Sequence, residues 1–290
     1  MRPAFVTVIA SAAAGLLVLA VVGMAVERRS ARPAESEAMP AAPAAGTAVA
    51  AFAAGGAVRL QEWYRPPSST HAFYFTRGIY SGGGRGRRGW GRSAWATDFP
   101  KADLQFVTVL RRLARIDVYQ QENAITLDDP NLRRFPFLYM LEVGSMGLTP
   151  EERTGLRDYL LAGGFLLIDD FWGSREWENF EYEIRQVLPE YSIEELTLEH
   201  PIFEAYYEID EILQVPAINN IRWGQTSERD GYVPHVLGIH DDKGRLMVLI
   251  NWNTDLGDAW EWAEQPDYPL KYSTYAFQIA VNFIIYAMSH

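Results

Sequence analysis

Cysteine is absent from this 290-residue sequence. That removes thiol nucleophiles, disulfides, thiolate zinc sites and lipidation at an N-terminal cysteine. Positive charge is also short: 26 Lys and Arg stand against 37 Asp and Glu, for a formal net charge of -11. A phosphate backbone is drawn to a basic surface, so nucleic acid is not an expected partner and any contact with an anion must be local. No internal repeat is visible, and no second linker interrupts the globular region, which argues for one folded domain. What is present is a hydrophobic content of 48%, enough for a substantial core, and an aromatic complement of 9 Trp, 15 Tyr and 14 Phe. Rings in such number fill a core or offer flat surfaces to a ligand.

The chain divides into three stretches. Residues 1–29 contain an uncharged, mostly apolar run, 5–26, which at 1.5 Å per residue is long enough to cross a hydrocarbon core of roughly 30 Å. A transmembrane anchor is the expected reading. A cleaved signal peptide is the rival, because Gly23-Met24-Ala25 offers the small residues that a signal peptidase accepts. Arg2 lies on one side of the run and Arg28, Arg29 and Arg32 on the other, which by charge alone leans toward a cytoplasmic body. Short N-terminal hydrophobic segments commonly direct the following domain outward, and an extracytoplasmic domain on a single-pass inner-membrane anchor is the expectation adopted. Residues 30–58 are rich in Ala, Pro, Gly and Glu without periodicity and read as a disordered tether. Residues 59–290 form the domain.

Within the domain, alternating runs of strand and helix pattern define an α/β class. A strand is expected over His71–Thr76 and an amphipathic helix over Pro100–Arg115, with Phe106, Val107, Leu110 and Leu113 on one face. Phe135–Leu141 is continuously apolar, as in a strand covered on both faces. Thr149-Pro150-Glu151-Glu152 carries a capping box with proline in the first turn, and so opens a helix. Gly163-Gly164 ends that helix, and Phe165–Ile168 is a second buried strand that delivers Asp169-Asp170. This is a βαβ unit, which requires a parallel sheet with helices on its faces and gathers ligands at the carboxyl ends of the strands. Val236–His240 and Arg245–Asn251 flank Asp241-Asp242-Lys243-Gly244 as an antiparallel hairpin expected at one sheet edge, and a last helix spans Leu270–Met288.

The order of these elements, from Phe135–Met140 through Leu148-Thr149-Pro150-Glu151-Glu152 and Gly163-Gly164 to Leu167–Asp170, resembles the class I glutamine amidotransferase-like superfamily. More narrowly, four segments resemble the bacterial domain of unknown function 4159 family: Trp95–Asp103, Asp169-Asp170-Phe171-Trp172-Gly173, His200-Pro201-Ile202-Phe203 and Asn251–Trp262. The resemblance covers about residues 71 to 288. It implies a flavodoxin-like, mostly parallel sheet with helices on both faces, commonly in exported or membrane-linked bacterial proteins, and it implies no known reaction. The superfamily's cysteine nucleophile has no counterpart in a chain without cysteine.

Asp169 and Asp170, at the end of a central strand, are the first candidates for catalysis or for holding a hard cation through oxygen ligands. The structural alternative is that one caps a following turn or helix while the other pairs with Arg175. Asn253, Asp255, Asp258 and Glu261 form a second acidic loop interleaved with Trp252, Trp260 and Trp262, and its spacing fails the calcium-loop pattern at the sixth position. Together with Trp172 and Trp177 these tryptophans could hold a sugar or another amphipathic ligand, or could simply plug the top of the sheet. His200, oriented by Pro201, is a candidate for proton transfer, although no serine elbow stands ready to complete a triad. Gly84-Arg85-Gly86-Arg87-Arg88-Gly89 matches G-x-G-x-x-G only formally, because no helix begins directly after it. Arg85, Arg87 and Arg88 are instead candidate anion ligands. If this loop and the following helix approach the top of the sheet, Arg77 and Asp98 join the same cleft, and Asp98 could also cap the helix.

Three functions compete. The leading expectation is a non-catalytic, amidotransferase-like binding module at the bacterial envelope, with a partner protein or glycan as ligand and no required cofactor. The second is a cysteine-independent hydrolase in which Asp169 or Asp170 binds a divalent cation that activates water and His200 assists. The third is a structural assembly subunit, which would show a broad exposed apolar patch. The first two are separated by whether Asp169, Asp170, His200 and Asp255 converge.

Overall fold

Three strands lined on both sides by apolar residues form the middle of the structure: β3 (Phe137–Leu141), β4 (Phe165–Asp169) and β7 (Leu246–Trp252). The computed structural model describes residues 70–82 and 94–290. The apolar run 5–26, the tether 30–58 and the loop with Arg85, Arg87 and Arg88 lie outside the described residues. Among the described residues no helix is long and apolar enough to cross a membrane.

Alternation along the central strands sorts side chains into two cores. Phe137, Tyr139, Leu141, Phe165, Leu167 and Leu249 face a layer built by α1 (Lys101–Ala114), α5 (Leu256–Glu261) and α6 (Leu270–Ser289). Leu138, Met140, Leu166, Ile168, Val248 and Ile250 face α2 (Pro150–Leu161) and α3 (Gly173–Val187). Period-2 pleating makes this split obligatory, and burial of each large apolar side chain contributes about 1.5–3 kcal/mol. With β1 (Arg77–Ile79), β2 (Ala124–Thr126), β5 (Glu194–Glu195) and β6 (His235–His240), the sheet has seven strands in the order β2-β1-β3-β4-β7-β6-β5. A short helix α4 (Ile218–Arg222) lies between β5 and β6. The pairs from β2 to β7 are parallel, and β6 and β5 are added antiparallel.

Two local signals act as the sequence suggests. Thr149 Oγ1 accepts from the Glu152 amide at 3.2 Å while Glu152 Oε2 accepts from the Thr149 amide at 2.8 Å, which closes the capping box of α2. Asp241 Oδ1 accepts from the amides of Lys243 and Arg245 and shapes the β6–β7 turn.

Two elements differ from the sequence reading. The hairpin expected at an edge is interior on one side, because β7 pairs in parallel with β4, and the edge is taken by the two-residue β5. The strand expected over His71–Thr76 is displaced to Arg77–Ile79, with Phe73 making only an isolated bridge to Val118. Arg77 caused the shift in reading, since an arginine interrupts an apolar strand pattern. In the fold it is buried by a full set of partners. Its Nε and Nη2 donate to Asp103 at 2.6–3.2 Å, and Nη1 donates to the carbonyls of Trp95 at 3.0 Å and Thr97 at 2.6 Å. The guanidinium also lies over the rings of Phe99 and Tyr139. This clamp ties the segment 95–99 and the start of α1 to β1.

Removing one partner of such a buried pair leaves the other charge uncompensated, at a cost of about 3–5 kcal/mol. Urea denaturation of Arg77→Met is expected to show a loss of that size, against about 1 kcal/mol for the exposed-turn cap variant Thr149→Ala. Equal losses for the two variants would show that the clamp contributes little.

Candidate functional site

The parallel strands end at one side of the sheet, and acids gather beyond several of them. Glu142 follows β3, Asp170 follows β4, Asn253 to Asp255 follow β7, and Asp98 lies in the connection from β1 to α1. Asp98, Glu142, Asp170 and Asn253 all hold positive φ, between 48° and 62°. Non-glycine residues in this region are strained by about 1–3 kcal/mol each, and they persist where the surroundings over-determine them.

Asp169 is the fixed point. Its Oδ2 accepts from Tyr139 Oη at 2.7 Å and from the amides of Leu256 at 3.0 Å and Gly257 at 3.2 Å, and its Oδ1 accepts from Asn251 Nδ2 at 2.8 Å. Burial pushes its carboxyl up to about 6, against the pull of these hydrogen bonds. It therefore caps the short helix α5, and no oxygen of it is left without a donor.

Asp170 is different. Its Oδ1 accepts from the Trp172 indole at 2.9 Å, while Oδ2 has no hydrogen-bond donor among the described residues, although the residue is 6% exposed. Asp255 uses Oδ1 to accept from the Asp258 amide at 2.7 Å. Asp98 Oδ2 is fully buried and has no hydrogen-bond partner among the described residues. Asp98, Asp170 and Asp255 bring one carboxylate oxygen each to within 4.8 Å of one another, and Asp98, Asp258 and Glu261 make a second such trio. Gly257 permits this approach, since a Cβ there would lie 2.8 Å from Asp98 Oδ2.

The electrostatics follow from proximity. Burial raises Asp170, Asp255 and Asp98 well above the usual carboxylate range, and the neighbouring acids add to it: Glu142 and Asp98 on Asp170, Asp170 and Asp258 on Asp255, Asp258 on Asp98. Glu142 is pushed to about 7 by burial and by Glu176 and Glu228, and Asp258 to about 6 by burial and Glu261. Nearby basic groups are committed elsewhere, Arg77 to Asp103 and Arg229 to Glu176. The cluster is thus a concentration of carboxyl groups whose ionisation is disfavoured, and among the described residues only Lys101, 3.9 Å from Glu261, forms an ion pair with one of the five acids of the two trios. Three oxygens at this spacing match a hard cation, whose ligand distances of about 2.0–2.6 Å place its oxygens no more than about 5 Å apart.

The remaining candidates fall in other places. Asn253 is a clip, accepting from the Gly173 amide at 2.8 Å and donating to the Val233 carbonyl at 2.7 Å. Trp260 is buried in the core under α1, α5 and α6, and Trp172, also buried, touches the site through its bond to Asp170. Glu261 is partly buried, 3.9 Å from Lys101 Nζ. Arg77 is spent on its clamp, and Asp98 makes no side-chain cap on α1. Asp170 forms no ion pair with Arg175. His200 lies far from the cluster: its Nδ1 accepts from the Ile202 amide, and its ring lies 5.9 Å from that of His240, which pairs with Leu246 at the start of β7. The acids lie past the other end of β7, about 20 Å away at 3.3 Å per residue. Glu142 was not singled out from the sequence, although an acid directly after a fully apolar strand was a readable signal. A cavity lined by Thr70, His71, Ala72, Tyr74, Arg134, Phe135 and Pro136 lies at the amino end of β3 and includes none of these acids.

Comparison with known families decides the kinship. A family described as domain of unknown function (DUF4159) matches residues 87–288. The chain belongs to the DUF4159 family. No curated protein matches it. The matched part of this DUF4159 chain includes Asp98, Asp170, Asp255, Asp258 and Glu261, so the whole carboxylate cluster lies within the family domain.

Groups whose folded pKa is raised hold stability that is present below the unfolded value of about 4 and is lost as pH rises through the folded value. For Asp169, Asp258 and Glu142 that window runs from about 4 to about 7. In EDTA the melting temperature is therefore expected to fall from pH 5 to pH 8, by on the order of 5 °C. Asp170→Asn and Asp255→Asn should each melt higher than the parent at pH 8, and a flat profile with no gain in either variant would contradict the charge surplus.

Proposed function

We propose that the domain is a cation-dependent binding module in which Asp98, Asp170 and Asp255 hold a hard divalent cation at the carboxyl edge of the sheet. The observation that carries this reading is the convergence within 4.8 Å of one carboxylate oxygen each from Asp98, Asp170 and Asp255, with Asp98 Oδ2 buried and without a hydrogen-bond partner among the described residues. Buried charge is retained in proteins where it is paired or coordinates a metal. The site chemistry is all oxygen, which favours Mg²⁺, Ca²⁺ or Mn²⁺ over softer ions. A cation so placed supplies what the missing cysteine cannot, an electrophilic centre that recognises oxygen-bearing groups of a glycan or a protein partner. The strand order β2-β1-β3-β4-β7 supports a flavodoxin-like arrangement of the amidotransferase-like kind, in which ligands meet the carboxyl ends of the strands. The apolar run and tether at the amino terminus support display of this module at a bacterial membrane, with the domain extracytoplasmic.

A metal-assisted hydrolase is the second reading, and one observation favours it: backbone strain is gathered at Asp98, Glu142, Asp170 and Asn253, as at sites built for chemistry. His200 has no place in that mechanism, given its position at the other end of the sheet.

The full chain in detergent, titrated with Mg²⁺, Ca²⁺, Mn²⁺ and Zn²⁺, is expected to bind at least one ion saturably. Its stability should rise by about 2.7 kcal/mol at a hundredfold excess over Kd. Asp170→Asn should keep its circular dichroism and lose that response. No calorimetric heat and no thermal shift with any ion would remove the cation reading. Turnover of ester, phosphoester or glycoside substrates by the ion-loaded chain, absent in Asp170→Asn, would move the function to the hydrolase.

A further inference from the structure

Asp98 belongs to both carboxylate trios, one with Asp170 and Asp255 and the other with Asp258 and Glu261. It comes from the β1 to α1 connection, whereas the two pairs approach it from different places. Asp170 and Asp255 follow the strand ends, and Asp258 and Glu261 lie along α5. A single ion held by the first trio would leave the second, among the described residues, with the Lys101 ion pair at 3.9 Å from Glu261 as its one positive charge, since Arg222 is engaged by Asp267. Asp258 is already oriented: its Oδ2 accepts from the Ile218 amide and its Oδ1 from the Trp262 indole, which fixes the carboxylate and leaves a lone pair on each oxygen. The Glu261 carboxylate accepts no hydrogen bond among the described residues. Asp98 Oδ2, buried and without a hydrogen-bond partner among the described residues, on the residue that the two trios share, is the independent sign that a ligand belongs there.

We propose that Asp98 bridges two hard divalent cations, the first held with Asp170 and Asp255 and the second with Asp258 and Glu261. The inference rests on the cation reading above and extends it from one ion to a pair. Bridged ions of this kind lie about 3.5–4 Å apart. Two dications set against five ionised carboxylates and Lys101 leave no residual charge, where one dication leaves two negative charges, so the second ion relieves what the first cannot.

Manganese bound per chain, measured by equilibrium dialysis with elemental analysis on the full chain, tests the pair. Two ions per chain are expected at saturation, with an exchange-coupled manganese signal in electron paramagnetic resonance. Glu261→Gln, which removes no hydrogen bond of the fold, is expected to retain one ion and show only an uncoupled signal. One ion per chain in the parent would overturn the bridge while leaving the cation reading intact, and no ion would overturn both. Two coupled ions persisting in Glu261→Gln would overturn the assignment of the second site.

Discussion

The four hydrogen bonds accepted by the buried carboxylate of Asp169 are the constraint on which the rest of the site depends. They reach Tyr139 on β3, Asn251 on β7 and two amides at the start of α5, so one side chain joins two neighbouring strands and a helix. A carboxylate in an apolar sheet costs several kcal/mol unless its oxygens are satisfied. Here that requirement dictates where α5 begins, and α5 in turn fixes Asp255, Asp258 and Glu261. Directly after the strand, Asp170 turns into the left-handed region and brings its carboxylate beside those of Asp98 and Asp255. The residue that is chemically quiet therefore positions those that are not.

The contrast between Arg77 and the acid cluster shows how the fold distributes charge. On β1 a buried cation meets its anion and two carbonyls, and nothing is left over. At the same edge of the sheet, Asp98, Asp170 and Asp255 face one another, and none of them forms an ion pair among the described residues. Departures of this kind from a fold that satisfies its other buried charge so completely mark the place as the candidate site.

Much of the architecture was legible because it rests on local rules. The apolar runs at Phe137–Leu141 and Phe165–Asp169, the capping box at Thr149 and the glycine pair after α2 each identified their elements without tertiary context. The helix α3 carries Trp177, Phe180, Ile184 and Val187 at helical spacing but opens without a side-chain cap, so no local start signal marks it. The strand carrying Arg77 was displaced in the reading because its pattern is set by a partner, Asp103, that periodicity cannot reveal. Within the site, Asp170, Asp98, Asp255 and Glu261 were recognisable as acids at strand ends or beside them. What the sequence could not supply was the separation of Asp169 from Asp170, since two adjacent carboxylates look alike until one is seen to be consumed by Tyr139, Asn251 and α5. The distance of His200 depends on β6 running antiparallel to β7, a matter of sheet register between remote segments.

The parallel pairing of β4 with β7 joins residues separated by 82 positions in the chain, and the site draws Asp98 from before that gap and Asp255 from beyond it. Contacts of such long range close late, because the loop entropy must be overcome before the pairing rewards it. A chain emerging from synthesis therefore holds Asp98 and Asp170 without the third carboxylate until its last strand docks. An ion captured by the trio is thus a product of completed folding and cannot guide it. Its presence would report that the carboxyl-terminal third has arrived.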